Sequence, residues 1–315
     1  MTAVQIGVKA KLLLTGGRGM VGQNILEHPL SKNWDIAAPS RAELDLTDAD
    51  AVKVYVDRFR PDVVVHAAGE VGGIQANMKH PVDFLVRNTD MGRNVVMAAR
   101  DVGVTRLLNL SSSCMYPRDA KNPLTENLIL QGELEPTNEG YAIAKIFTTR
   151  LCQYISREDP KYSYKTLIPC NLYGRHDKFD PLRSHLLPAV IAKIHHAKSY
   201  GLPQVDIWGD GKARREFMYA GDLADAIFHA LKVFDKLPDL CNVGMGQDHS
   251  IDEYYVAVAN IIGWSGKFLH DLSKPAGMKR KLVDVTRQMD LGWNPRTSLM
   301  EGIANTYAFY LKEVA

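Results

Sequence analysis

The chain has 315 residues, 38 Lys and Arg against 36 Asp and Glu, and 46% apolar residues. A net charge of +2 is too balanced for a nucleic-acid-binding protein, and no apolar run approaches the ~18 residues that mark a membrane span. The length suits one large α/β unit with an attached lobe, or two domains. The N-terminal MTAVQIGVKAKLLLTGG lacks the long apolar core of a signal peptide. The four cysteines, Cys114, Cys152, Cys170 and Cys241, have no metal-ligand spacing and read as reduced thiols of a cytoplasmic protein, with no metal expected.

KLLLTGG reads as a strand leading into the helix GMVGQNILEH, and TGGRGMVG between them sets Gly16, Gly19 and Gly22 in a G-x-x-G-x-x-G array. Glycine lets the chain turn tightly and brings backbone N–H groups against a pyrophosphate at the following helix N-terminus. Met20 and Val21 share that turn and are assigned to the same contact. Glycines also serve plain turns, but here they open a βαβ unit within the first 25 residues, which favours a dinucleotide. DIAAPS is the second strand. Its tip, APSRAELDL, carries Ser40 and Arg41 and no acid for ribose hydroxyls, and Arg18 lies in the glycine loop. Two guanidinium groups and a hydroxyl suit a 2′-phosphate, so the expected cofactor is NADP(H). The plain alternative makes Arg41 a solvated loop charge. Asp45 of LDLTD is placed to accept from the adenine amine.

The helix DADAVKVYVDRF leads to the strand DVVVHAAG, whose end brings Ala67 and Ala68 to the cofactor and His66 to a packed position nearby. PVDFLVRNTDMGRNVVMAARDVG is a long helix, RLLNLSS a fourth strand, YAIAKIFTTRLCQYISRED a helix and YKTLIPCNLYG a strand. This rhythm, with uniformly apolar strands, predicts a Rossmann-type doubly wound parallel sheet covered on both faces. NLYGRHDKFDPLRSH reads as a loop, and the chain ends in the helix SLMEGIANTYAFYL. The expected division is a cofactor-binding domain over 1–174, with part of 215–246, and a smaller substrate-binding lobe mainly over 175–315.

YAIAK puts Tyr141 and Lys145 on one helix face. A phenol of pKa ~10 is a poor acid–base at neutral pH, and a nearby ammonium is expected to lower it. Lys145 also suits the nicotinamide ribose. A serine at the end of the fourth strand, in SSSCMYP, completes the set by donating to a substrate carbonyl.

With GGRGMVG, EVGGIQAN, LEPTNEGYAIAK, NLYGRHDKF, SHLLPAVI, IWGDG, RREF and KPAGMKRKLVDVTR, these motifs make the chain resemble an extended short-chain dehydrogenase/reductase. Within that superfamily it is similar to the GDP-L-fucose synthase family over nearly its whole length. The resemblance implies Ser112 as the catalytic serine, with Ser111 and Ser113 as neighbours open to the same assignment. It implies Cys114 as an epimerisation acid–base, partnered by His185, which also lies by the cofactor, with His176 as a competing imidazole. A thiol and an imidazole are chemically apt, since inverting a centre beside a ketone needs proton removal and return on opposite faces. For Cys114 the alternative is a small buried filler, the reading given to the other three cysteines.

The resemblance further implies a GDP-linked 4-keto-6-deoxy sugar as substrate, held by Arg215, Lys274, Trp208 and Lys193, the last where the family commonly has arginine. Solvated surface charge is the alternative for each cation. Glu70, where relatives often have lysine, and the single acid Asp222 in YAGDLAD are departures. A homodimer through the long helices after the third and fourth strands is implied as well. Rival readings are a GDP-L-colitose synthase acting on a 3,6-dideoxy sugar, a 4-reductase without epimerase activity, and a noncatalytic NADP-binding sensor.

Overall fold

The computed structural model describes residues 9–180, 184–273 and 278–313. It opens with β1 (Lys11–Thr15), α1 (Met20–Glu27), β2 (Asp35–Ala37), α2 (Ala49–Phe59), β3 (Val63–His66), α3 (Ile74–Lys79), α4 (Pro81–Val102) and β4 (Arg106–Leu110). α5 (Glu139–Glu158), β5 (Ser163–Pro169), β6 (Asn171–Tyr173), α6 (Leu186–Ser199), β7 (Gln204–Trp208), β8 (Arg214–Arg215), β9 (Phe217–Tyr219) and α7 (Ala220–Lys232) follow. The last are β10 (Leu240–Val243), β11 (His249–Ser250), α8 (Ile251–Ile262), β12 (Lys267–Asp271), β13 (Arg280–Lys281), α9 (Thr286–Asp290) and α10 (Leu299–Glu313).

Six strands form a parallel sheet in the order β10-β5-β4-β3-β1-β2. Side chains alternate along each strand, so Leu12 and Leu14, Val63 and Val65, Leu108 and Leu110 enter one core, while Leu13, Val64 and Leu107 enter the other. Burial on both faces explains why these strands carry no polar alternation. α1 and α7 cover the first face through Ile25, Leu223 and Ile227. α2, α4 and α5 cover the second through Val52, Val56, Val95, Val96 and Ile155. Each such fully buried aliphatic side chain contributes ~1.5–3 kcal/mol. This is the Rossmann-type architecture expected. The chain steps from β1 out to β2 and returns across β1 to β3, which opens a crevice at the carboxyl ends of β1 and β3.

Helix ends follow their sequences. Asp48 Oδ1 accepts the Ala51 N–H at 3.0 Å to start α2. Ser250 and Glu253 form a capping box on α8, and Pro81 opens α4, which closes on Gly103. A third apolar core joins α6, α8, α10 and β7, with Leu187, Ile191, Ile207, Tyr254, Val258 and Ile303 buried.

The stretch expected as one strand, YKTLIPCNLYG, is two. β5 ends at Pro169, which has no N–H for the ladder, and β6 pairs with β9 in a separate sheet. The segment 171–185 is therefore not wholly loop.

Candidate active site

Gly16 follows β1 with φ +79, in the left-handed region that favours glycine. A Cβ there would lie 2.7 Å from the Ala68 backbone, and one on Gly22 would lie 2.3 Å from Gly16 O. The loop is thus pressed against the end of β3, beside Ala67 and Ala68, as closely as backbone allows. Gly19 is the N-cap of α1, and no side chain caps the first turn, where Met20 and Val21 sit. Uncapped N–H groups in a cradle that a Cβ would fill fit a pyrophosphate.

At the second strand's tip the sequence reading missed an acid. Glu43 Oε2 accepts the Ser40 N–H at 2.7 Å. That bond, a second from the Ser40 hydroxyl and the charge of Arg18 hold its carboxyl below the usual range. Arg41 and Asp45 form an exposed ion pair at 3.8 Å, and Asp45 Oδ1 accepts from the Thr47 N–H and hydroxyl at 3.0 and 2.8 Å. Arg18 and Arg41 both face solvent. His66 is packed, sharing a 2.8 Å hydrogen bond with Thr15; burial, then the charge of Lys145, lower its imidazole to about 3.

β4 delivers the three serines, and the fold gives them different surroundings. Ser111 is buried, with its Oγ 2.9 Å from Met115 Sδ and accepting the Thr149 hydroxyl at 3.2 Å. Ser113 is buried as well. Ser112 Oγ accepts the Cys114 N–H at 3.2 Å, and its hydroxyl hydrogen-bonds Tyr141. Lys145, one helical turn beyond Tyr141, donates to Leu110 O at 3.1 Å and places Nζ 5.7 Å from the tyrosine ring centroid. Burial lowers the Lys145 ammonium to about 8, against the opposing charge of Cys114.

The expected lowering of the phenol is corrected. Burial pushes Tyr141 well above its ordinary value, the Cys114 charge adds to the rise, and the Ser112 hydrogen bond opposes it. Desolvation dominates, so Tyr141 is a protonated phenol, fitted to donate. Tyr141 lines a cavity of about 220 Å³ with Asn77, Phe84 and Asn138.

Cys114 is half-buried, whereas Cys152, Cys170 and Cys241 are buried, which raises their thiols. Cys114 Sγ accepts from Asn138 Nδ2 at 3.2 Å and from Lys281 Nζ at 3.5 Å. His185 is the N-cap residue of α6. It is solvent-accessible but crowded by protein, and desolvation, with the charges of Lys178 and Lys281, lowers its imidazole. Lys281 therefore touches the thiol and is felt by the imidazole. His176 points elsewhere, hydrogen-bonded to Glu27 at 2.7 Å with its ring 4.8 Å from that of Phe309.

Ser112, Cys114, Tyr141 and Lys145 thus form one cluster, linked electrostatically to His185. Lys193 and Trp208 form another, around Asp206. Lys193 Nζ lies 2.8 Å from the Asp206 carboxylate and 2.6 Å from its carbonyl, and Trp208 hydrogen-bonds the same carboxylate. Arg215 donates to Arg214 O at 2.8 Å. Burial lowers its guanidinium, opposed by the charge of Glu135, three residues before Asn138. Lys274 lies outside the described residues. Glu70 pairs with Arg87 at 3.0 Å, and Asp222 accepts from Thr297 at 2.9 and 3.0 Å.

Beyond Glu43, sequence reasoning missed Asn138, Lys281 and Glu216. Glu216 is fully buried; its carboxylate accepts from Met245, Gly246 and Val283 N–H groups at 2.7, 2.8 and 2.9 Å. Burial raises it to about 7 despite those bonds. Among the described residues no cluster of metal ligands occurs, and no helix is long and apolar enough to cross a membrane.

The model of the NAD dependent epimerase/dehydratase family matches residues 12–244. A GDP-L-colitose synthase of Yersinia pseudotuberculosis is 54% identical over 96% of this chain and 98% of its own length. A GDP-L-fucose synthase of Azorhizobium caulinodans is 53% identical over 97% and 98%. Among solved structures, a GDP-mannoheptose C4 reductase from Campylobacter jejuni with NADP bound is 30% identical, with a TM-score of 0.87 over 96% of this chain and 98% of that one.

Proposed function

The chain belongs to the NAD dependent epimerase/dehydratase family, and from that premise we propose that it is an NADPH-dependent epimerase/reductase converting GDP-4-keto-6-deoxy-D-mannose to GDP-L-fucose. The observation that carries the reading is the accessible thiol of Cys114 beside the Ser112–Tyr141 pair. Ketone reduction alone uses serine, tyrosine and lysine and has no role for that sulfur. The A. caulinodans relative supports the choice of sugar.

The glycine cradle and the uncapped start of α1 suit the pyrophosphate of NADP(H). Arg18, Ser40 and Arg41 would take the 2′-phosphate, Asp45 the adenine, and the backbone of Ala67 and Ala68 the nicotinamide half, with Lys145 and His185 beside it. A ketone at sugar C4 acidifies the C–H bonds at C3 and C5. Cys114 and His185 remove and return protons there on opposite faces. Ser112 and Tyr141 hydrogen-bond the C4 oxygen as it becomes negative. Held there, the nicotinamide of NADPH would supply hydride for C4. Tyr141, kept protonated by burial, gives its proton to the C4 oxygen, and the Lys145 ammonium stabilises the phenolate left behind. Arg215, Lys274 and Lys193 would hold the diphosphate, and Trp208 the sugar or base.

The 54% relative favours a second reading, GDP-L-colitose synthesis from the 3,6-dideoxy 4-keto sugar with inversion at C5 alone. NADPH oxidation on both GDP-4-keto sugars, with product NMR, decides. The proposal expects a higher kcat/KM on the 3-hydroxy sugar and a product inverted at C3 and C5; faster turnover of the 3-deoxy sugar reverses it.

We also propose a cytoplasmic homodimer built on α4 and α5, whose outward faces expose Val82, Val86, Ile143 and Phe147. A cofactor domain over 1–174 with part of 215–246, and a substrate lobe mainly over 175–315, is supported by α7 and β10 sharing the sheet's core.

A further inference from the structure

We propose that Lys281 is a positioning residue for Cys114, its ammonium donating to the sulfur, aiming it into the site and stabilising the charge the sulfur carries in its reactive form. The proposal deepens the reading of Cys114 as the epimerising group and rests on it.

Both hydrogen-bond partners of Sγ among the described residues are N–H donors, the Asn138 amide at 3.2 Å and the Lys281 ammonium at 3.5 Å. A neutral thiol is a weak acceptor, whereas a thiolate matches one cationic and one neutral donor. Lys281 is only 7% exposed, a rare state for lysine without an opposite charge. Among the described residues it makes no ion pair with a carboxylate, and Sγ is its side-chain hydrogen-bond partner. Glu216, whose charge and that of Lys281 both reach Cys170, spends its oxygens on three backbone N–H groups.

The strand carrying Lys281 is fixed on both sides. Arg214 N–H donates to Lys279 O at 2.9 Å, and Leu282 N–H donates to Asn122 Oδ1 at 2.7 Å. Leu124 N–H reaches Leu282 O at 2.8 Å, and Glu216 takes the Val283 N–H. The buried glutamate thereby acts as an anchor for the lysine's strand.

Among the described residues, the titratable groups coupled to the thiol include Tyr141 and Lys145 from α5 and Lys281 from β13. Lys145 already donates to Leu110 O, so Lys281 is the cation in direct contact with sulfur. Because Lys281 also lowers the His185 imidazole, its loss has a double signature. The pH profiles of the thiol and of the imidazole both move upward, which a merely structural lysine would not produce.

The test compares wild type, Lys281→Met and Lys281→Arg, each with NADPH bound. Iodoacetamide alkylation of Cys114 is followed from pH 6 to 10 by peptide mass spectrometry, and His185 is titrated by NMR. Buried Cys152, Cys170 and Cys241 report unfolding. Lys281→Met is expected to slow alkylation at pH 7 about tenfold or more, the effect of removing an opposite charge within ~4–6 Å. Lys281→Arg should recover most of that loss, and the His185 midpoint should rise in Lys281→Met alone. Unchanged alkylation and His185 profiles in Lys281→Met with NADPH affinity intact overturn the proposal and leave the lysine as a phosphate ligand or a strand support. If Lys281→Met does not bind NADPH, Lys281→Gln is read by the same criteria. Failure of the wild type to exchange substrate C3 or C5 protons with solvent would overturn the epimerase reading, while a shifted alkylation profile would still support the Lys281–Cys114 pairing.

Discussion

Alanine at Gly22 places a methyl 2.3 Å from Gly16 O and 2.5 Å from Gly17 Cα. The atoms it meets are backbone, so no side chain can turn away. Regaining ordinary contact at 3.4 Å requires a displacement of 3.4 − 2.3 = 1.1 Å in a loop already braced on the Ala68 backbone. Overpacking of this kind costs ~1–3 kcal/mol, a fall in Tm of roughly 2–10 °C. Gly16→Ala adds the penalty of a left-handed φ for a residue with a Cβ, a further ~1–2 kcal/mol. Gly19→Ala is the control. Its Cβ would meet only Gly16 O at 3.5 Å, φ there is −81, and its cost is the weak N-cap preference, under ~1 kcal/mol. Thermal unfolding without cofactor should therefore rank wild type and Gly19→Ala above Gly22→Ala, with Gly16→Ala lowest. Titration with NADPH should show Gly22→Ala weakened about tenfold, ~1.4 kcal/mol, because the shifted loop misaligns the first-turn N–H groups. Gly22→Ala melting like wild type, or Gly19→Ala falling as far, would refute the packing argument.

Tyr141→Phe removes the proton donor and should lower NADPH-dependent turnover ~10²–10⁴-fold, while exchange of substrate C3 and C5 protons, followed by NMR, persists at a reduced rate. Lys145→Met should abolish reduction yet stabilise the fold. Burial lowers the ammonium to about 8, which costs the folded state roughly 3 kcal/mol. Losing the bond to Leu110 O returns about 1 kcal/mol of that. The sign follows from proton uptake. Below pH 8 the folded and unfolded lysine are both charged and the wild type bears the full cost; between 8 and 10.5 only the unfolded state is charged, so the cost fades. The stability gain of Lys145→Met, read by denaturant unfolding, should be about 2 kcal/mol at pH 7, shrink above pH 8, and by pH 10.5 turn into a loss of about 1 kcal/mol, that of the bond to Leu110 O.

The sheet was legible because Leu12, Leu13 and Leu14 are all apolar, as are Val63, Val64 and Val65, short runs bounded by turn residues that suit strands buried on both faces. The glycine loop and the Tyr141–Lys145 pair were legible because their spacing is local. What sequence could not carry were contacts closed by the fold. Lys281 reaches Cys114 across 167 positions, from a run of cations in which nothing marks the one to be buried. Lys193 reads as a cation for a phosphate until Asp206 is seen to face it. Glu43 was passed over because it follows the strand tip, and the turn folds it back on Ser40. The direction of the Tyr141 shift was misjudged because a neighbouring charge is visible in YAIAK and desolvation is not.

The central claim is that one site both inverts and reduces, with Cys114 as the inverting group and Tyr141 as the reducing acid. Wild type and Cys114→Ala, each incubated in D₂O with NADPH and GDP-4-keto-6-deoxy-D-mannose, give products whose stereochemistry and label NMR reads directly. The account predicts an inverted sugar deuterated at C3 and C5 from the wild type, and from Cys114→Ala only a reduced, uninverted and unlabelled 6-deoxyhexose. An inverted, deuterated product from Cys114→Ala would contradict it.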